Sequence, residues 1–150
     1  MANALYSLAK QSLLSQNPSI DLDTDNLKVV LVRGYAPNLT TDQFLSNVTG
    51  GGGTLVATSA NLTTKTVTNG VFDADDVTWT AVAAGAACDY VILYKDTGVA
   101  GTSPVIAAIN VATNLPVTID VPKAATPTDA STMPVTRSLL VGSSSGIVTI

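Results

Sequence analysis

Hydrophobic residues along the chain follow two periods. Near the N-terminus, Leu5, Leu8, Ala9 and Leu13 recur at helical spacing, with Ala4 and Leu14 beside them. This predicts a helix over residues 3–16, capped by Asn3 and stopped by Asn17-Pro18. Beyond it the period shortens. Leu27–Val32 (LKVVLV) is almost continuously apolar and predicts a central strand. A short helical segment is expected over Thr41–Ser46, with Phe44 and Leu45 in the core. Strands are expected over Thr54–Ser59 and Leu62–Thr68, followed by a hairpin turn at Asn69-Gly70. In Val77–Val82, Val77, Trp79 and Ala81 share one face, the pattern of a half-buried strand. Cys88–Lys95 is the strongest strand, with Tyr90, Ile92 and Tyr94 on one face and Val91 and Leu93 on the other. Ala83–Ala87 reads as a small-residue loop, and Pro104–Ala112 and Val117–Val121 as further strands.

From Pro122 the pattern breaks. Residues 122–134 hold three prolines among small polar side chains, the composition of an extended arm, and one or two strands are expected within 134–150. The expected organisation is therefore a β-rich domain over 1–121 with an N-terminal helix, and an arm over 122–150. The fold class is mainly β, a single-domain sandwich or partly closed barrel, because strand runs follow one another without βαβ alternation. Leu27, Val29, Leu31, Phe72, Trp79, Ile92 and Ile106 are the expected core.

Composition supports the β assignment. Thr occurs 21 times and Glu never, and charged residues are only 12% of the 150. Thr, Val and Ile stiffen the backbone toward extended conformations. A 46% hydrophobic content is ample for a core, so the charge deficit points to a Thr-, Ser- and Asn-covered surface or to burial against other subunits. The net charge of -4 and seven scattered basic residues make no phosphate-binding stripe, which argues against nucleic acid as a partner. No apolar run is long enough to span a membrane, and the N-terminus lacks the pattern of a signal peptide.

Candidate chemistry is sparse. The chain has no His, and its single Cys begins an apolar strand, which predicts an inert core thiol. Asp21, Asp23 and Asp25 alternate like the start of a calcium loop. That loop needs Gly at its sixth position and a bidentate acid at its twelfth; Asn26 and Val32 stand there, so a solvated acidic loop is expected. Gly50–Gly53 lacks the Lys of a phosphate-binding loop and reads as a mobile surface loop or inter-subunit arm. Glycosidase chemistry needs two facing carboxylates, and Asp73, Asp75 and Asp76 would need Asp89 or Asp96 beside them in space. Asn38, Asn47 and Asn61 match the N-glycosylation pattern, as a Thr-rich chain does by chance. No cofactor motif, no metal set and no catalytic constellation is expected.

Several stretches resemble a family of small virion proteins of tailed bacteriophages. They are LYSLAKQSLL at 5–14, DTDNLKVVLV at 23–32, APNLTTDQFLS at 36–46, VATSANLTTKTVTNGVFDADDVTWTAV at 56–82 and VILYKDTGVAGTSPVIAAI at 91–109. The most specific are KTVTNGVFDADDVTWTAV and VILYKDTG. The resemblance spans Leu5 to Leu115. It implies a structural role in the virion, either capsid decoration or a tail, neck or baseplate position, and implies no catalysis. The chain departs from the family at Gly50–Gly53 and after Leu115, where a Pro- and Thr-rich segment replaces the usual finish. The partners implied are the major capsid protein and further copies of the chain, a trimer being the first choice. A carbohydrate-binding surface module is the third alternative; with one Trp and two Phe, the chain has few aromatics to offer it. The contacts are expected from the segments least constrained by the core: Leu5 and Leu8 of the helix, Gly50 and Gly53, and Met133, Val135, Leu139, Leu140, Ile147 and Ile150 of the tail.

Overall fold

The computed structural model describes residues 3–80, 82, 85–110, 117–119, 136–138 and 148–149. The fold is mainly β, built around an open five-stranded antiparallel sheet. Its strands are β1 (Ala4–Leu5), β2 (Leu27–Arg33), β3 (Thr54–Thr58), β8 (Tyr90–Lys95) and β9 (Val105–Ile109), in the order β1-β9-β8-β2-β3. Between them in sequence lie β4 (Thr66–Thr68), β5 (Val71–Asp73), β6 (Thr78–Thr80) and β7 (Gly85–Cys88). They are followed by β10 (Val117–Ile119), β11 (Thr136–Ser138) and β12 (Val148–Thr149).

The centre of the sheet is buried on both faces, which explains why β2 and β8 read as continuous apolar runs rather than alternating ones. Val30 lies opposite Ile92, which lies opposite Ala108 on one face; Leu31 lies opposite Val91, and Leu93 opposite Ala107, on the other. All seven expected core residues, from Leu27 to Ile106, are buried. Phe72 and Trp79 join the same hydrophobic cluster from the small ladders, so those ladders share the core of the sheet.

The hairpin at Asn69-Gly70 forms as expected. Both residues have positive φ (52° and 77°), and Thr68 pairs with Val71 across a two-residue turn. That backbone matches the right-handed twist of its flanking strands, and Asn and Gly tolerate it at least cost.

Four expectations are corrected. The N-terminal helix is α1 (Ser7–Ser15), preceded by strand β1, so Leu5 belongs to a strand and not to the helix. Its backbone pairs with the edge of β9, opposite Ala107, while the Asn3 side chain accepts from the Asn110 N–H instead of capping the helix. The second helix is α2 (Leu45–Gly50), displaced toward the C-terminus from the expected 41–46. The displacement follows from side-chain capping. Asn38 Oδ1 accepts from the Thr40 and Thr41 N–H groups and holds that stretch as a turn, whereas Asn47 Oδ1 accepts from the Phe44 N–H at 2.8 Å and sets the helix start there. The expected strand over 62–68 shortens to β4, while the Leu62 N–H bonds to the Leu27 carbonyl and its side chain enters the core. Within the expected 83–87 loop, residues from Gly85 onward form β7, paired with β10. Small residues suit this site: a Cβ at Gly85 would lie 1.7 Å from Arg33 Nη1.

The glycine run is also corrected. Gly50 ends α2, and Gly51, Gly52 and Gly53 donate back to the Asn47, Thr49 and Val48 carbonyls, so the segment is a tight helix-to-strand turn leading into β3. Gly53 is buried, and a Cβ there would meet the Val48 carbonyl at 2.6 Å and Tyr35 Cβ at 3.0 Å. Gly53→Ala is expected to cost about 1–3 kcal/mol through this overpacking. Gly50→Ala, with nothing within 4 Å of its Cβ, is expected to be neutral or mildly stabilising. Urea midpoints of the two variants provide the check.

Candidate functional site

The sequence-derived contact residues fall on opposite sides of the sheet. Leu5 lies on edge strand β1 and Leu8 on α1, both half-buried, whereas Gly53 immediately precedes the other edge strand, β3. On α1, Leu14 is 89% exposed while Ala9 and Ser12 are buried, so the helix leaves an apolar side chain in solvent. Gly50 is exposed and Gly53 is not, which makes Gly53 a packing residue of the isolated chain. Met133, Val135, Leu139, Leu140, Ile147 and Ile150 lie outside the described residues, as does the arm over 122–134.

The described strands after residue 116 return to the body of the chain. β10 pairs with β7, β11 with β6 and β12 with β5, all antiparallel. Arg137 stands opposite Trp79, and Val148 opposite Phe72. The three strands therefore take β7, β6 and β5 in reverse order, and the two of the tail lie on the ladders that carry Trp79 and Phe72.

The acidic loop is held by its own hydrogen bonds and by two lysines. Asp21 Oδ1 accepts from the Asp23 and Thr24 N–H groups, and Asp25 Oδ2 accepts from the Asp21 N–H. Lys95 Nζ lies 2.8 Å from Asp25 Oδ2 and donates to the Ser19 carbonyl, while Lys65 donates to the Asp25 carbonyl. Asp23 is held above the usual carboxylate range, first by the hydrogen bond between its carboxyl and that of Asp21, and Asp21 below it by the same bond.

Among the described residues, neither Asp89 nor Asp96 joins Asp75 and Asp76 in one site. An open groove of about 470 Å³ runs between residues 58–63 and 75–79, with Asp75, Asp76 and Trp79 in its walls. Asp75 Oδ2 accepts from the Thr63 and Thr64 hydroxyls at 2.9 and 2.6 Å, ties the two walls together and is held below the usual range by those bonds. A carboxylate stabilised as the anion is a poor general acid. Asp96 pairs with Lys28 at 2.6 Å and Asp89 donates its N–H to the Val32 carbonyl; neither lines the groove. Trp79 is only 6% exposed, so its ring is not presented for ligand stacking.

Cys88 is fully buried and its thiol is pushed up by burial, with Arg33 opposing the shift, which suits a packing role. The three asparagines of glycosylation pattern also serve local structure: Asn38 and Asn47 as described, and Asn61 by donating to Asn26 Oδ1.

One buried polar array was not foreseen from the sequence. Tyr35 donates to Asp42 Oδ2 at 2.6 Å, the Asn38 N–H donates to the same oxygen, and Tyr6 OH lies 3.0 Å from Tyr35 OH. Because the Tyr35 proton goes to Asp42, Tyr6 is the donor between the phenols. Tyr35 also meets Tyr90 edge-on at 6.4 Å. The array joins the start of α1 to the loop before α2. Burial pushes Tyr6 up from 10.0 to about 12, against the hydrogen bond with Tyr35; Tyr35 is raised further, by burial and then by Asp42. Each raised pKa stabilises the fold fully below the unfolded value near 10.0, and the contribution disappears as pH rises through the folded value. The expected result is a loss of stability between pH 10.0 and about 12, with tyrosinate absorbance rising together with unfolding. Tyr6→Phe should make that loss shallower, because one of the two raised phenols no longer contributes to it.

No helix among the described residues is long and apolar enough to cross a membrane. Comparisons with protein-family models, with curated proteins and with solved structures give no match to this chain.

Proposed function

We propose that the chain is a structural protein of a tailed-phage virion, a non-catalytic decoration protein that binds over junctions of the major capsid lattice. The observation that carries this reading is how the acidic side chains are used. Asp25, Asp42, Asp75 and Asp96 each hold a loop or a strand end through a hydrogen bond or ion pair, so the polar chemistry of the described residues serves to fix a rigid, charge-poor body. The resemblance of residues 56–82 and 91–109 to small virion proteins supports the same conclusion, and those stretches contribute β4, β5, β6, β9 and all of β8 but Tyr90. Such a protein strengthens a shell by covering area shared between capsid subunits. An interface of about 1,200–2,000 Å² per copy is of the size expected for a specific contact. Repetition over a symmetric lattice adds avidity.

The burial of Trp79 disfavours the carbohydrate-module alternative, which needs an aromatic surface. A tail, neck or baseplate subunit shares the same β-rich character and is distinguished by where it binds. Co-sedimentation of the purified chain with undecorated capsids tests the proposal. Saturable binding at a stoichiometry set by the capsid lattice is expected; failure to bind capsids, with binding to isolated tails, would replace decoration by the tail reading.

A further inference from the structure

We propose that Asn69 is a site of spontaneous covalent modification. Its side-chain amide is lost through a succinimide formed with the Gly70 nitrogen, which leaves aspartate or isoaspartate at the β4–β5 turn. The reactants are this chain and water, so the inference does not rest on the proposed virion role.

The steps balance without any redox change. Hydroxide takes the Gly70 N–H proton, and the nitrogen bonds to Asn69 Cγ. The Cγ–Nδ2 bond breaks, and Nδ2 leaves as ammonia with a proton from water. A second water opens the ring at either carbonyl. Breaking the new N–Cγ bond gives aspartate in the original backbone. Breaking the bond from the ring nitrogen to the main-chain carbonyl gives isoaspartate, whose backbone runs through Cβ and Cγ.

Sequence and structure single out this asparagine. The chain has nine, and only Asn69 is followed by Gly, so only there does the attacking nitrogen have no Cβ beside it. Asn17 precedes Pro18, which has no N–H to lose. Most of the others are also held in place. Asn3, Asn38 and Asn47 accept from backbone N–H groups through Oδ1, and Asn61 donates to Asn26 Oδ1. Asn110 Oδ1 is buried. Asn69 is exposed, and its side chain has no hydrogen bond among the described residues.

The hairpin lets the reaction proceed. Ring closure needs the turn to leave its paired geometry for a moment. β4 is the outer strand in the order β12-β5-β4, and all three of its residues are exposed. Opening the turn from that side therefore exposes no buried side chain of β4, while Phe72 of β5 can stay in the core. The two products differ in consequence. Aspartate tolerates the positive φ at position 69 and adds one negative charge to a net charge of -4. Isoaspartate adds a backbone carbon to a two-residue turn, so Thr68 and Val71 no longer meet in register.

The experiment incubates the folded full-length chain in mildly alkaline buffer, then digests it with trypsin and analyses the peptides by mass spectrometry. Fresh protein is digested in parallel. Cleavage after Lys65 and Lys95 releases residues 66–95, in which Asn69 is the only asparagine. Cleavage after Arg33 and Lys65 releases residues 34–65, which carry Asn38, Asn47 and Asn61 as internal controls. The expected result is progressive replacement of –NH2 by –OH in peptide 66–95, resolved into two isomeric products, while peptide 34–65 keeps its amides. The rate should fall in mildly acidic buffer, because the attacking nitrogen must lose its proton. A synthetic peptide of residues 66–72 is incubated alongside. If that peptide converts while the folded chain keeps the Asn69 amide, the hairpin protects the site and the proposal is wrong. Loss of amide from peptide 34–65 as fast as from 66–95, or no conversion of either the chain or the synthetic peptide, overturns it as well.

Discussion

Replacing Ile92 by Ala is expected to lower the unfolding free energy by about 2–5 kcal/mol. Ile92 is fully buried in β8, with Val30 on one side and Ala108 on the other. Ala108 is already small, so it cannot fill the space a second alanine would leave. The lost side chain contributes its transfer energy, and the cavity adds a further cost because two flanking strands hold the backbone in place. The change should appear as a lower urea midpoint with an unaltered slope. Val99→Ala, at a residue 61% exposed, should leave the midpoint within about 0.5 kcal/mol of the parent. An Ile92→Ala effect of similar small size would mean that the sheet centre repacks freely.

Deleting residues 122–150 is expected to have the largest functional effect. Every strand of the five-stranded sheet lies between Ala4 and Ile109, so the deletion removes none of its ladders. It does remove β11 and β12, the partners of β6 and β5. The truncated chain should therefore still unfold cooperatively, at lower stability, with Trp79 fluorescence shifted toward that of a solvated indole. It should no longer co-sediment with capsids. Full binding by the truncated chain would show that the tail is not the attachment element. Failure to fold would show that the terminal strands belong to the core and that the division at residue 121 is misplaced.

The elements that the sequence made legible are those whose signal is local and redundant. LKVVLV over 27–32 and the apolar run 91–94 announce central strands because burial on both faces leaves Lys28 as the only charged position within them. Asn69-Gly70 announces its hairpin because two consecutive positive φ values suit few other dipeptides. Elements set by competition between side-chain caps were misplaced. The apolar pair Phe44 and Leu45 is visible, but whether the helix precedes or follows it depends on Asn38 and Asn47, each of which can close either a turn or a helix start. Leu5 fits helical spacing and still became a strand, because the free edge of β9 provides partners for its backbone. The Gly50–Gly53 run looked like an arm because its sequence shows neither the bonds back to α2 nor the contact of Gly53 with Val48 and Tyr35.

The candidate contact surface was less legible than the fold. A strand's burial is written in its own apolar positions, whereas an outside partner leaves no periodic trace. The Tyr6–Tyr35–Asp42 array shows the same limit inside the molecule. Its members are separated by 29 and 7 residues and each reads as an ordinary loop or core residue until the fold brings them together.

Imaging intact virions by cryo-electron microscopy, at a resolution that traces this chain, tests the proposed role most directly. The account predicts its density over junctions of the major capsid lattice, in a copy number that scales with the number of capsid subunits. Density confined to the neck, tail or baseplate, or a virion lacking the chain altogether, would contradict it.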